Sequence, residues 1–229
     1  MKNLFSGILC IAGASLLFAC QKSHDLAAPA SGEIRSTTVG GVGMESTVAD
    51  CGQFRTQSQG GWGTNPAGEN PGTYLHDHFA GVYPSGLTVG CVGGYSVSYS
   101  TASSITDYLP AGGTAAVLTF NVTNPGSKSI KNVLIGQVTA LALNVAFDYA
   151  DPNFAPAQGN LADLVISSGQ FAGMSVSDFL NLANNVLGGC NTSYTADSIN
   201  QTASLINANF IDGTTDGGFL TCPSSSGSR

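Results

Sequence analysis

Hydrophobic and polar positions divide the chain into three stretches of different character. Leu4 to Ala19 is an apolar run of 16 residues behind Lys2, interrupted by Ser6 and Ser15. Such a run falls short of the roughly 20 residues that cross a bilayer, and a basic residue ahead of a short apolar segment reads as an export signal peptide over residues 1–19. Residues 20–45 hold no sustained period of 2 or 3.6 and are rich in Ser, Ala, Gly and Thr, which marks a flexible tether. Patterning resumes near residue 46 and continues to 223 without a second break, so this region is expected to be one domain, followed by a short tail over 224–229.

Within that domain the first half is short-range and irregular. Residues 52–75 are Gly-rich, with Asn65-Pro66 and Asn70-Pro71 as turn signals, and predict loop around a single strand. Leu87 to Val92 and Tyr95 to Tyr99 alternate in polarity on either side of Gly93-Gly94, which predicts a hairpin. Ser103 or Ser104 is expected to cap a short helix through Leu109, stopped by Pro110 and Gly112-Gly113. The second half is helical in pattern. Ile130 to Phe147 is apolar on most sides, as a buried helix requires. Ser175-Val176-Ser177-Asp178 resembles a capping box and opens a helix that Gly188-Gly189 ends, and Thr195 to Phe210 forms a third stripe ended by Gly213. The fold class expected is α+β, a small antiparallel sheet and loop-rich N-terminal half packed on three C-terminal helices.

Charge and cysteine then narrow the setting. Seven Lys and Arg against fourteen Asp and Glu give a net charge of −7, and no basic residue occurs between Arg55 and Lys128 or between Lys131 and Arg229. A phosphate-tracking face cannot be built from that supply, so nucleic acid is not an expected partner. With 9% charged and 42% hydrophobic residues, the chain also lacks the composition of a disordered acidic protein. The leader ends in Leu17-Phe18-Ala19-Cys20, which resembles the lipobox of bacterial lipoproteins. That resemblance implies a diacylglycerol on the Cys20 sulfur and a further acyl chain, palmitate for example, on its amine, enough hydrocarbon for stable membrane attachment. Gln21 is not the Asp that retains such proteins at the inner membrane, so an outer-membrane location is expected, with the leaflet it faces left open.

Beyond Cys10 and Cys20 stand Cys51, Cys91, Cys190 and Cys222, an even number in an exported chain, and two disulfides are expected. Local loop closure favours Cys51 with Cys91 and Cys190 with Cys222. No C-x-x-C spacing occurs, which argues against a zinc site.

Four segments carry a resemblance: Thr56-Gln57-Ser58-Gln59-Gly60-Gly61-Trp62-Gly63, Gly86-Leu87-Thr88-Val89-Gly90-Cys91, Gly136-Gln137-Val138-Thr139-Ala140-Leu141 and Leu205-Ile206-Asn207-Ala208-Asn209-Phe210. They are similar to an uncharacterised domain of secreted and surface proteins of Gram-negative bacteria, which opens on T-Q-x-x-G-x-W and closes on a helix and a cysteine. The resemblance implies export and surface display. It brings no catalytic residues with it.

Candidate chemistry is sparse. His76-Asp77-His78 would place two imidazoles on one side of a strand, where a carboxylate such as Asp148 or Asp151 could complete a metal site, although a surface turn is the simpler reading. Asp212 to Gly217 lacks the ligand order of an EF-hand and reads as a helix cap followed by a turn. Neither G-x-S-x-G nor G-x-x-x-x-G-K is present, and Glu69 in the domain with Glu45 at its border nominates no carboxylate pair. Asp197-Ser198-Ile199 matches a short bacterial O-glycosylation acceptor. Trp62, flanked by glycines and followed by Tyr74, Phe79 and Tyr83, is either a core plug or a stacking platform for a sugar ring. The reading that follows is a lipid-anchored, non-catalytic envelope domain without cofactor or metal, whose partners are the membrane and a surface protein or glycan. The alternative is a glycan-binding module using Trp62 and Tyr74, and weaker still is a surface hydrolase or metal-dependent enzyme.

Overall fold

The computed structural model of the chain describes residues 52–126, 129–157 and 159–223. The export signal, Cys20, the tether and Cys51 lie outside the described residues. The Gly-rich opening, expected as loop around one strand, contains two helices. A single turn, α1 (Gln59–Trp62), is capped by the Ser58 hydroxyl, which accepts from the Gly61 N–H. The longer α2 (Pro71–Val82) begins where Asn70-Pro71 suggested a turn. Asn70 accepts from the Thr73 N–H, and Pro71 occupies the first helical turn, where its missing N–H costs nothing. The dipeptide that punctuates a loop also starts a helix, and here the apolar stripe of Leu75 and Phe79 decides for the helix.

The hairpin forms as expected, with trimmed ends. Strands β1 (Leu87–Gly90) and β2 (Ser96–Tyr99) pair antiparallel, Leu87 opposite Tyr99 and Val89 opposite Val97. Those four side chains face the core, while Thr88 and Ser98 face outward and share a hydroxyl hydrogen bond of 2.9 Å. The next helix, α3 (Ala102–Tyr108), is capped by Thr101 rather than Ser103 or Ser104, and Ser104 is the returning member of its capping box. A two-residue strand, β3 (Val122–Thr123), then pairs with β2 in parallel. The sheet is therefore mixed, not purely antiparallel, because the chain returns through α3 and a long loop, a crossover of the length a parallel neighbour needs.

The helical half agrees closely with its pattern. Helix α4 (Val133–Ala150) is buried without interruption from Leu134 to Asn144, and α5 (Val176–Leu187) and α6 (Ala196–Asn209) pack against it and each other. By length and composition α4 is the one described helix that could cross a membrane, but most of it is enclosed by protein. Ser175 and Thr195 cap α5 and α6, each accepting from the N–H three residues on. Ahead of α5, β4 (Val165–Ile166) pairs antiparallel with the last strand, β5 (Leu220–Thr221), which follows α6. The described residues thus form an α+β fold of six helices and two small sheets.

The disulfide pairing differs from the expectation. Cys91 is bonded to Cys190, across 99 residues of sequence, and not to Cys51. Tertiary packing explains this. The end of β1 and the hairpin turn lie on the C-terminus of α5, where Tyr95 N–H donates to the Gly188 carbonyl at 2.8 Å and Gly90 N–H to Asn184 Oδ1 at 2.9 Å. Gly188 permits the approach, because a Cβ there would sit 2.5 Å from the Cys91 nitrogen and 2.6 Å from the Tyr95 oxygen. The two thiols are adjacent in space however far apart in sequence. Cys222 is likewise disulfide-bonded, so the expected Cys190–Cys222 pair is also replaced.

Inside the fold one amide is used to capacity. Asn144, with no solvent exposure, accepts from Gln57 N–H at 2.8 Å and from the Trp62 indole N–H at 3.1 Å. Its amino group donates to the Gln57 carbonyl at 2.9 Å and to Asn207 Oδ1 at 3.0 Å. Asn207 in turn donates to the backbone and side-chain oxygens of Gln137. Replacing Asn144 with Leu strands Gln57, Trp62 and Asn207 groups at once, and each buried orphan costs about 1–3 kcal/mol. Chemical denaturation of Asn144→Leu is expected to show a loss of about 3–5 kcal/mol, well beyond an ordinary isosteric core change. For the disulfide, non-reducing peptide mapping should recover Cys91 linked to Cys190, and a Cys91→Ser, Cys190→Ser variant should lose about 4.7 kcal/mol in the chain-entropy account. Recovery of a Cys51–Cys91 peptide would contradict the arrangement.

Candidate functional site

Residues 54–57 run beside the C-terminal end of α6. Thr56 N–H donates to the Phe210 carbonyl at 2.9 Å, its carbonyl accepts from Asp212 N–H at 3.1 Å, and its hydroxyl accepts from Phe210 N–H at 3.0 Å. Extended backbone alternates its side chains, so Phe54 and Thr56 turn into the core and Arg55 turns out. Its guanidinium carbon stands 5.9 Å from the centre of the Phe154 ring, within reach of a cation–π attraction. Arg55 lines two adjoining cavities, one of about 230 Å³ reaching Glu69 and Asp212 and one of about 650 Å³ reaching Asp77, His78 and Asp151. Tyr74 lines both as well, so the two form one groove.

Tyr74 is the hub of the larger part. Its hydroxyl donates to Asp151 Oδ2 at 2.7 Å, and its ring stacks on His78 at 4.0 Å. Tyr74 and His78 are four residues apart on α2, the spacing that brings helical side chains together. His78 Nδ1 lies 2.9 Å from the Tyr74 carbonyl, which can only accept, so this nitrogen carries the proton and Nε2 faces Asp151 at 3.8 Å. Asp151 also accepts from the backbone and side-chain nitrogens of Asn153. Burial pushes the Asp151 carboxyl upward, but the Tyr74 hydroxyl, the Asn153 donors and His78 outweigh it and hold its pKa below the usual value. Tyr74 moves the other way, raised by burial first and by its bond to Asp151 second. At neutral pH the pair is a phenol donating to a carboxylate. A tyrosine so held is a hydrogen-bonding group and not a base.

The sequence candidates fall differently. His76 and His78 are on a helix and not a strand, and they diverge: His76 Nε2 meets the Thr106 hydroxyl of α3 at 3.3 Å, away from Asp151. Thr106 itself donates to the Ser103 carbonyl at 3.1 Å, which occupies its proton within α3. Among the described residues no group of three or more His, Cys, Asp or Glu is placed to hold a metal ion. Asp212 accepts from the Gln57 amide and Asp216 from Asn209 and Gly218, so the stretch is a turn braced by its own chain.

Trp62 does not supply an uncovered sugar platform. It reaches the wall of the smaller cavity, yet none of its surface is exposed, its N–H is spent on Asn144, and its ring stacks on Phe154 at 6.1 Å. Of the two proposed ligand contacts both line the groove, but only Tyr74 has exposed surface there. Arg55 was missed as part of this surface, whereas Asp151, named with Asp148 as a carboxylate that could join the histidines, does stand beside His78 at 3.8 Å. The signal available for Arg55 was its place between Phe54 and Thr56, an apolar-charged-polar step that turns one side chain out of a buried segment.

No protein-family model, curated protein or solved structure matches the chain. The T-Q-x-x-G-x-W resemblance thus rests on its own residues, and these are framework: Thr56 clamps the end of α6, Gln57 and Trp62 are held by Asn144, and Gln137 and Asn207 extend the same network.

The lowered pKa of Asp151 has a sign that can be tested. Its stabilising contribution is complete above the unfolded-state value of about 3.9 and is lost as pH falls through the lower folded value. Asp151→Asn and Tyr74→Phe should each cost about 1 kcal/mol at pH 7 and flatten the acid limb of stability against pH below about pH 4. An acid limb identical to that of the wild type would show that Asp151 is not held in this way.

Proposed function

We propose that this is a lipid-anchored protein of a bacterial cell envelope, attached through acylated Cys20 at the outer membrane, whose domain binds a partner without transforming it. Support for the address comes from Leu17-Phe18-Ala19-Cys20 and Gln21, and the Cys91–Cys190 bond suits an oxidising compartment. The observation that carries the binding reading is the groove shared by Arg55 and Tyr74. Its larger part, about 650 Å³, falls in the range of small-ligand sites. Its polar groups are positioned as donors and acceptors: the guanidinium, the Asp151 carboxylate and the edge of His78.

The same groove favours a glycan as the partner over an unspecified surface protein. Exposed carboxylates at Glu69, Asp77 and Asp212 are acceptors for sugar hydroxyls, and the Tyr74–His78 stack supplies an apolar wall. In this form the glycan-binding reading is centred on Tyr74 and no longer on Trp62.

Anchoring is tested at Cys20. Wild-type protein expressed in a Gram-negative host should take up labelled palmitate and sediment with the outer membrane, and Cys20→Ser should lose both. Unchanged labelling and fractionation in Cys20→Ser would remove the anchor from the account.

A further inference from the structure

Building on the glycan reading of the groove, we propose that Arg55 is a carboxylate receptor and that the ligand is an acidic glycan, a sugar chain bearing uronate or another ring carboxylate. Arg55 and Lys131 are the two described Lys or Arg residues, set among ten described Asp and Glu. In such surroundings a guanidinium is expected to be claimed by a carboxylate, yet Arg55 makes no ion pair among the described residues and its buried Nε has no hydrogen-bond partner. Its one contact of note is the face of Phe154.

The framework explains why the neighbouring carboxylates do not take it. Thr56 and Gln57 are bonded through their backbones to α6 and to Asn144, which fixes where Arg55 emerges. The Gln57 amide orients Asp212, and Tyr74 and Asn153 orient Asp151, so that neither forms an ion pair with Arg55, while each carboxylate keeps acceptor sites to spare. Arg55 is left as a planar fork of donors, without an ion pair among the described residues, in a partly enclosed groove, the arrangement that receives a carboxylate in bidentate fashion.

The remaining lining selects what else the ligand carries. A bare anion placed on Arg55 would meet Glu69 and Asp212 on one side and Asp77 and Asp151 on the other, all acceptors or like charges. A ligand that offers one carboxylate to Arg55 and several hydroxyls to those acceptors satisfies both demands, and an acidic sugar does so on a single ring. A peptide carboxylate could meet Arg55 but brings few hydroxyl donors for the acids around it.

The test uses the full-length protein in detergent micelles. Its probes are oligosaccharides carrying galacturonate, glucuronate or N-acetylneuraminate, each beside its methyl ester, which keeps the ring and hydroxyls and removes the charge. At least one acid should bind, at least tenfold more tightly than its ester, with affinity falling as salt rises. Arg55→Gln should abolish the difference, and Arg55→Lys should keep only part of it, while both variants melt as the wild type does. Equal affinity for acid and ester, or wild-type binding by Arg55→Gln, would overturn the role of Arg55 and leave the glycan reading standing. Failure of every sugar to bind, or equally tight binding of tetraglutamate, would overturn both.

Discussion

The buried amide of Asn144 is the constraint on which the rest of this structure depends. A polar group without water must find its partners inside the protein, and Asn144 finds four hydrogen bonds. They tie together segments that share no regular secondary structure: the extended chain at Gln57, the turn of α1 at Trp62, and α6 at Asn207. Apolar packing alone would tolerate sliding of Gln57 along α4. Paired backbone donors and acceptors do not, since a displacement of one residue would orphan both groups.

The groove inherits its geometry from that tie. Arg55 is two residues from Gln57, and Phe154, beneath the guanidinium, stacks on the same Trp62 whose indole bonds Asn144. Close approach elsewhere supports the frame. Gln59 accepts from Ala111 N–H at 2.9 Å, and Gly136 leaves the space it needs, because a Cβ there would run into the Gln59 amide and lie 2.8 Å from the Ala111 Cβ. Placing recognition groups on a rigid polar frame lowers the ordering cost of binding. Of the groove-facing residues, Tyr74, His78 and Asp151 are held by hydrogen bonds or ring stacking, and Arg55 stands over the Phe154 ring.

Elements whose signals are local were legible in the sequence. The apolar breadth of α4, the caps Ser175 and Thr195 and the alternation of the hairpin each depend on neighbours a few residues away. Where one local signal has two meanings the reading failed: Asn70-Pro71 serves a turn or a helix start, and Gly60 and Gly61 obscured α1. Pairing of β3 with β2, and of Cys91 with Cys190, is decided by tertiary packing that no spacing encodes. The groove is least legible of all, since Arg55, Tyr74, Asp151 and Asp212 are brought together from distant segments. Tyr74 could be singled out as an aromatic residue, but its bond to Asp151 spans 77 positions. Motif similarity pointed to Thr56, Gln57 and Trp62, and these proved to be the residues that hold the site rather than those that face it.

Amide hydrogen exchange at Gln57 tests this dependence most directly. If its N–H is bonded to Asn144 within a single cooperative frame, it should exchange only through global unfolding, at the rate of the amides in the middle of α4. Rapid exchange at Gln57 while Val138 to Leu143 remain protected would contradict the account, showing that the segment carrying Arg55 opens independently of the core.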